Sequence, residues 1–192
     1  MKIFLSWSGN KSKALAALFK DWIVCVVQNC DPWMSTQIEA GSQSNSIINE
    51  NLNELNFGIL FLTKYNKEAP WILYEAGALS KGLDKNRICP LLIDLDWSEV
   101  KGPLVQYNYV EPNKSGILNL VHSIHSSMKS DTPQAIITRT FEPFWEIFKI
   151  KFDKIMEEVH EEGVETRRSL EDILTEVLET NRQIDNRLIG IM

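Results

Sequence analysis

Basic residues, cysteines and long apolar runs are all scarce in this sequence of 192 residues. Lysine and arginine together number 20, against 26 aspartates and glutamates, which gives a net charge of −6. A nucleic-acid surface needs a basic stripe to neutralise phosphates, so we expect no nucleic-acid partner. No run approaches the ~18 consecutive apolar residues that a membrane-spanning helix needs, so we expect no membrane partner either.

Cysteine usage points to a reducing compartment. Cys25, Cys30 and Cys89 are odd in number and lack CxxC spacing, so we expect three reduced and buried thiols. The first residues, Met1 to Trp7, form a strand-like pattern without the hydrophobic stretch of a signal peptide. Together these features predict a cytoplasmic protein.

Metal ligands are also scarce. His122 and His125 lie three residues apart, on one face of a predicted helix, but no carboxylate or thiol joins them in the sequence. A zinc site needs three or four ligands, so we predict that the chain has no metal site.

The order of apolar segments predicts an α/β fold. Hydrophobic residues make up 44% of the chain and charged residues 24%, which is typical of a globular domain. Strand-like runs alternate with segments that have apolar residues at helical spacing. This alternation implies right-handed crossovers and a parallel sheet with helices on both faces. The predicted strands cover 2–6, 32–35, 57–63 and 87–95, with a short fifth strand at 105–110.

The pattern changes after a polar connector at 131–140. The segment that follows has an aromatic stripe from Phe141 to Phe152, which should pack on the domain or on a second copy. From Leu170 to Ile191, apolar residues alternate at spacings of four and three, as in a coiled coil. A seam this short is marginal alone, so pairing between chains and folding back both remain open. The predicted division is a domain at 1–130, the connector, and a helical extension at 141–192 with coiled-coil spacing from 166.

Glu75 is the main candidate for a catalytic residue. Pro70 suits the first turn of a helix, and from there Trp71 and Glu75 lie one turn apart on one face. The positions three and four residues away from Glu75 are all apolar, so no lysine or arginine of this helix can pair with it. Such a carboxylate should resist ionisation, which predicts a raised pKa. The ordinary alternative is a glutamate that reaches solvent at the helix edge.

Polar residues follow three of the predicted strands. In a parallel sheet of this kind the site lies beyond the carboxyl ends of the strands, where the strand order reverses. We therefore expect these residues to share one rim. They are Ser6, Trp7 and Ser8 after the first strand, Glu39 and Gly41 after the second, and Thr63 and Glu75 after the third.

Three of these motifs together resemble one known family. The runs Ile3–Ser8, Ile38–Gly41 and Trp71-x-x-x-Glu75 are similar to those of TIR (Toll/interleukin-1 receptor) domains, in particular the bacterial, NAD-cleaving branch. The resemblance covers residues 1–129. It implies a flavodoxin-like fold with five parallel strands.

The resemblance also implies roles for individual residues. Glu75 matches the catalytic glutamate, and the segment with Glu39 and Gly41 matches the BB loop, through which TIR domains assemble. Trp7 matches an aromatic residue that contacts the ligand, whereas Ser8 stands where some NAD-cleaving members have an arginine. Trp71 is expected to pack behind Glu75.

By this resemblance the chain is an NAD+ glycohydrolase or cyclase that acts in antiviral defence when it self-assembles. NAD+ is then the substrate, and no cofactor is expected. The nicotinamide of NAD+ leaves as a neutral group, so one carboxylate is enough, in contrast to the two of ordinary glycosidases. The expected partners are NAD+, further copies bound through the TIR domain and the C-terminal helices, and a partner defence protein. Two alternatives remain: a non-catalytic TIR adaptor and an enzyme similar to nucleoside deoxyribosyltransferases.

Overall fold

The structure, a computed structural model, describes residues 1–34, 55–81, 87–128 and 130–160. Glu39, Gly41 and the seam from Leu170 to Ile191 lie outside the described residues, so the expectations for them stay predictions. The strands are β1 (Lys2–Ser6), β2 (Asp31–Met34), β3 (Leu55–Leu62) and β4 (Arg87–Leu92). The α-helices of the described residues are α1 (Asn10–Val26), α2 (Pro70–Lys81), α3 (Lys114–Ser127) and α4 (Gln134–Glu158).

The strands form one parallel sheet, which confirms the predicted α/β fold. Its four strands lie in the order β2-β1-β3-β4. β2, whose second residue is Pro32, lies at an edge of this sheet, and the apolar strand β3 pairs with neighbours on both sides. The order fits a flavodoxin-like sheet, and the chain changes direction across the sheet between β1 and β3. A ligand crevice is therefore expected beyond the carboxyl ends of these two strands.

The predicted fifth strand differs from what the structure shows. Residues Gly102–Gln106 form a 3-10 helix, in which Gly102 has a φ of +69° and Pro103 occupies the first turn. Only Val110 joins the sheet, as a single parallel bridge to Leu91. Val110 donates its N–H to Pro90 O at 2.9 Å and accepts from Leu92 N at 3.0 Å. The glycine and proline favour a turn over extended backbone, so the strand prediction for 105–110 is wrong apart from its last residue.

Two core clusters cover the two faces of the sheet, because successive side chains of a strand point to opposite faces. The α1-side cluster includes Ile3 and Leu5 of β1 and packs under α1, α3 and α4. The α2-side cluster includes Phe4 of β1 and packs under α2 and the 3-10 helix Gly102–Gln106. Helices therefore lie on both faces, as predicted. Among the described helices, none is long and apolar enough to span a membrane.

Helix α4 packs on the same compact unit as the sheet. It begins at Gln134, inside the segment predicted as a connector, because Pro133 with φ −61° precedes its first turn. The compact unit runs from Met1 to Glu162, so the structure packs α4 with the domain instead of separating it at 130. The aromatic stripe contacts α1: the ring centroids of Trp22 and Phe148 lie 4.6 Å apart. Trp22 Nε1 also donates to Phe144 O at 3.0 Å.

The cysteines are free thiols, as expected, but only Cys89 is fully buried. Burial raises the pKa of Cys89 to about 12 and that of Cys30 to about 11, so both stay protonated at neutral pH. Cys25 is exposed on α1 and Cys30 is half-buried, so the prediction that all the cysteines are buried is confirmed only for Cys89.

Candidate active site

Ser6 and Glu75 meet at the carboxyl end of β1. Ser6 Oγ donates a hydrogen bond to Glu75 Oε2. Both side chains have 0% of their surface exposed, so the alternative in which Glu75 reaches solvent is wrong for this structure. Ser6 is the last residue of β1 and points to the same face as Phe4, which is the face that α2 covers. A buried carboxylate thus lies beside the point where the strand order reverses.

Close packing between β3 and α2 brings Glu75 to this position. Ile72, Ala76 and Leu79 are buried in the α2-side cluster and surround Glu75 on the inner face of α2. Gly58 of β3 lies directly under this helix. A Cβ atom added to Gly58 would lie 2.9 Å from Leu79 Cδ1, at the end of a flexible side chain, so the Leu79 side chain would have to move to make room.

Trp71 lies on the same side of the sheet, one turn before Glu75. Its side chain is half-buried against the α2-side cluster. Its ring stacks on Tyr74, with centroids 5.7 Å apart and planes inclined by 28°. The Trp71 Nε1 atom is buried, and within the described residues it has no hydrogen-bond partner. Trp71 therefore combines a packed ring with one polar atom that packing leaves unsatisfied.

Trp7 points to the other face of the sheet. It is 8% exposed and belongs to the α1-side cluster. Lys13 Nζ lies 5.1 Å from the centroid of its ring, which is a cation–π distance. Trp7 shares the rim with Ser6 and Glu75, as the sequence predicts, but its ring packs on the side of the sheet opposite to Glu75.

The hydrogen bonds of Ser8 are made by its backbone N–H and carbonyl. Its N–H donates to Ser12 Oγ at 3.1 Å, and its carbonyl accepts from the same hydroxyl at 2.6 Å. The carbonyl also accepts from Asn66 Nδ2 at 2.9 Å. These bonds do not involve the Ser8 hydroxyl, so the loop conformation does not depend on the side chain at position 8.

Asn66 is the site residue that sequence reasoning missed. It lies in the turn between β3 and α2, is 0% exposed, and connects this turn to the loop after β1. A signal was present in the sequence, since Thr63 and Asn66 follow a buried strand and asparagine favours turns in which its side chain binds nearby backbone. The prediction was based on the apolar runs and on the carboxylate, so it did not include Asn66.

Charged residues flank the rim on the side of β4. Lys11 of α1 pairs with Asp94 at 3.8 Å, and Asp94 also accepts a hydrogen bond from Lys64 N at 2.9 Å. Lys67 pairs with Glu99 at 3.4 Å. These lysines, like Lys13 beside Trp7, are cationic groups of the described rim that could contact phosphates. His122 and His125 have no third ligand, and the described residues contain no group of His, Cys, Asp and Glu that could hold a metal ion.

A separate cleft of about 430 Å³ lies away from this rim. Phe57 and Ile88, near the amino ends of β3 and β4, line it together with Tyr107, Tyr109 and Asn119. Ser6 pairs instead with Leu60, nearer the carboxyl end of β3. The cleft is therefore distinct from the Ser6–Glu75 site, which is closed in this structure.

Comparison with models of protein families and with curated proteins gives no match for this chain. We therefore infer function from the geometry of the rim. That geometry consists of a buried carboxylate on α2, a hydroxyl donor from β1, and two loops joined by Asn66.

Proposed function

We propose that this chain is a TIR-type NAD+ glycohydrolase or cyclase in which Glu75 is the catalytic carboxylate. The observation that carries the proposal is the fully buried Glu75 carboxylate beside the switch point of the sheet, where it accepts a hydrogen bond from Ser6. Carboxyl ends of parallel strands at a switch point are where sheets of this order bind ligands. The position of Glu75 after the third strand agrees with the resemblance to TIR domains.

The reaction needs little beyond this carboxylate. The bond between C1′ of the nicotinamide ribose and the ring nitrogen breaks, and its electron pair leaves with neutral nicotinamide. Glu75 stabilises the positive charge that develops on the ribose, because a fixed charge in a water-poor site acts strongly on a developing charge. Water then attacks C1′ and loses a proton, which gives ADP-ribose. Attack by the adenine of the same molecule would give a cyclic product.

Ser6 positions the carboxylate in this scheme. Its hydroxyl donates to Glu75 Oε2 and fixes the orientation of the carboxyl group. Lys11, Lys64 and Lys67 lie at the same rim and are candidates to contact the diphosphate, in place of the arginine that other members have after the aromatic residue.

Substrate access requires a change in the enzyme, because Glu75 has no exposed surface in this structure. We attribute this change to self-assembly, through the segment with Glu39 and Gly41 and through the C-terminal helices. A partner defence protein could supply the trigger. The activity of the enzyme would then depend on its concentration.

The same burial favours a second candidate function, a TIR adaptor without catalytic activity. In an adaptor the hydrogen bond between Ser6 and Glu75 would only stabilise the fold. The two candidates differ in one measurable property, the release of nicotinamide.

The test is to incubate the purified full chain with NAD+ and to quantify free nicotinamide by chromatography over a range of protein concentrations. Glu75→Gln keeps the size of the side chain but removes its charge, and it should lower the rate by at least about a hundredfold. The matched control is Glu68→Gln, which makes the same change at an exposed position just before α2. Nearly full activity in Glu75→Gln would eliminate the catalytic role, and no release by the parent at any concentration would favour the adaptor.

A further inference from the structure

A side-chain amide, that of Asn66, joins the loop after β1 to the turn after β3. Asn66 Nδ2 donates to Ser8 O and to Phe61 O, both at 2.9 Å. Its Oδ1 accepts from Thr63 N at 2.8 Å. Asn66 therefore uses both of its side-chain donors and its carbonyl, and each of these bonds goes to backbone.

The same residue leads directly into the helix of Glu75. The Asn66 carbonyl accepts from Ala69 N at 2.9 Å, and Leu73 N of α2 donates to Ala69 O at 3.2 Å. A chain of hydrogen bonds thus runs from Ser8, through Asn66 and Ala69, to the first turn of α2. Glu75 lies on the second turn of this helix.

We infer that Asn66 is a positioning residue, which fixes the loop of Trp7 and Ser8 relative to the helix that carries Glu75. Ser6, the partner of Glu75, directly precedes this loop, so movement of the loop would also displace the donor of the carboxylate. For its effect on activity, the inference rests on the proposed NAD+ cleavage. Its structural part, the coupling of the two loops, does not.

A buried asparagine is well suited to this role. The carbonyls of Ser8 and Phe61 both accept an N–H of Asn66, in addition to the bond that Ser8 O accepts from Ser12 Oγ. A side-chain amide offers two N–H groups beside one acceptor, which this arrangement uses in full. Aspartate has nearly the same shape but, when ionised, is an acceptor only, so it would face two carbonyl oxygens without a donor. When protonated it recovers one donor. Asn66→Asp should therefore be a variant whose defect is relieved by acid.

The experiment compares the full chain with Asn66→Ala, Asn66→Asp and a stability control. The control is Phe141→Leu, which weakens the contact with Trp22. Trp22 lies ten residues beyond Ser12 on α1, about 15 Å along the helix from the rim. The Phe141→Leu substitution therefore lowers the stability of the fold without changing a contact of the two loops.

The first measurement is hydrogen exchange of the segments around residues 5–12 and 61–69, followed by mass spectrometry. Both segments should exchange faster in Asn66→Ala than in Phe141→Leu at equal distance below the melting temperature. The second measurement is kcat and KM for nicotinamide release. In Asn66→Ala kcat should fall by about ten- to hundredfold, since a displacement of about 1 Å at a reacting group has effects of this size. Phe141→Leu should keep its kcat.

The third measurement is the pH profile of Asn66→Asp, taken as the ratio of its kcat to that of the parent at each pH. The ratio should rise as the pH falls, because only the protonated carboxyl can donate to Ser8 O or Phe61 O. A purely structural defect would give a ratio that does not depend on pH. If Asn66→Ala does not fold, this profile together with the exchange of Asn66→Asp decides the matter.

The outcomes separate the two ideas. If the parent releases nicotinamide but both Asn66 variants keep the kcat of the control, the positioning role is overturned and the proposed function stands. If the parent releases none, the proposed function fails and the exchange data alone judge the coupling of the loops. Unchanged exchange around residues 5–12 would then overturn the coupling, and faster exchange would support it.

Discussion

Ser6 and Glu75 share a buried hydrogen bond although they lie 69 residues apart in the chain. One ends the first strand of the sheet, and the other lies on the helix that follows the third. A buried carboxylate is costly unless donors replace the water that it loses. The hydroxyl of Ser6 is one such donor, so the two positions should be energetically coupled.

The first prediction concerns this coupling. A hydrogen bond contributes about 0.5–1.5 kcal/mol between neutral groups and about 1.5–3 kcal/mol when one group is charged. A double-mutant cycle of Ser6→Ala and Glu75→Ala should therefore give an interaction energy between about 0.5 and 3 kcal/mol, in the upper part of this range where Glu75 is ionised. Urea unfolding of the parent, the two single variants and the double variant at pH 7 measures it. Additivity within about 0.5 kcal/mol would mean that the bond contributes nothing to stability.

The second prediction concerns the close approach of β3 and α2. Gly58→Ala places a Cβ atom 2.9 Å from Leu79 Cδ1, in a cluster where Leu79 is already buried. Because the contact is with the end of a flexible side chain, the free energy of unfolding should fall by about 1 kcal/mol, the lower end of the range for overpacked cores. Leu79→Ala in the same chain should relieve part of the strain.

Gly77 provides the matched control for this variant. It lies on α2 itself, and an added Cβ would meet nothing within 4 Å. Because alanine favours helix over glycine, Gly77→Ala should raise the free energy of unfolding by about 0.5–1 kcal/mol. If both substitutions had the same effect, the tight fit under Leu79 would not be the cause.

The sequence predicts the sheet and the carboxylate well, for a local reason. Apolar runs of strand length and helical spacing are properties of neighbouring residues, so β3 and α2 could be placed to within a few positions. The burial of Glu75 likewise follows from the apolar residues one turn away. The strand prediction at 105–110 failed because Gly102 and Pro103 begin a 3-10 helix, and the chain pairs with the sheet only at Val110.

The features that the sequence did not reveal depend on contacts between distant segments. In the sequence Asn66 is an ordinary turn residue. Its role in joining two loops is visible only in the fold, which brings Ser8 beside it. Trp7 could have been assigned by alternation along β1, which directs Ser6 and Trp7 to opposite faces. The resemblance favoured a ligand contact for Trp7, and this assignment ignored the alternation.

The third prediction concerns pH and the contact between α3 and α4. His122 Nε2 lies 3.0 Å from Thr138 Oγ1, and burial, followed by the nearby His125, lowers the pKa of His122. Between this lowered pKa and the unfolded value near about 6.5, the unfolded chain binds more protons than the folded chain. Stability should therefore be full above the unfolded pKa and should fall as the pH drops through this window.

His122→Gln isolates this effect, because glutamine does not titrate and can still bind Thr138. Urea unfolding of the parent and of His122→Gln at pH 7.5 and at pH 5.5 measures it. The parent should lose more stability than the variant on acidification. Equal losses would assign the pH dependence to other groups, among which His125 is the nearest titratable neighbour.

The fourth prediction concerns the extent of the folding unit. Helix α4 buries Phe141, Trp145, Phe148 and Phe152 against the α1-side cluster. Removal of one buried aromatic side chain costs about 3–5 kcal/mol, and the whole stability of a domain is about 5–15 kcal/mol. A chain that ends at residue 130, the predicted domain boundary, should therefore not fold. Circular dichroism and a thermal melt decide this.

A chain that ends at Glu162 keeps the whole compact unit and should melt at the temperature of the full chain. The same truncation tests whether the seam from Leu170 to Ile191, whose spacing places Asn181 at a core position, pairs two chains or folds back. If it pairs two chains, light scattering should show the full chain as a dimer and the truncated chain as a monomer. In that case the truncated chain should also have a lower specific activity than the full chain at dilute enzyme, because pairing raises the effective concentration of one domain near another. The same mass and the same rate for both chains over a range of concentrations would show that the seam does not join copies.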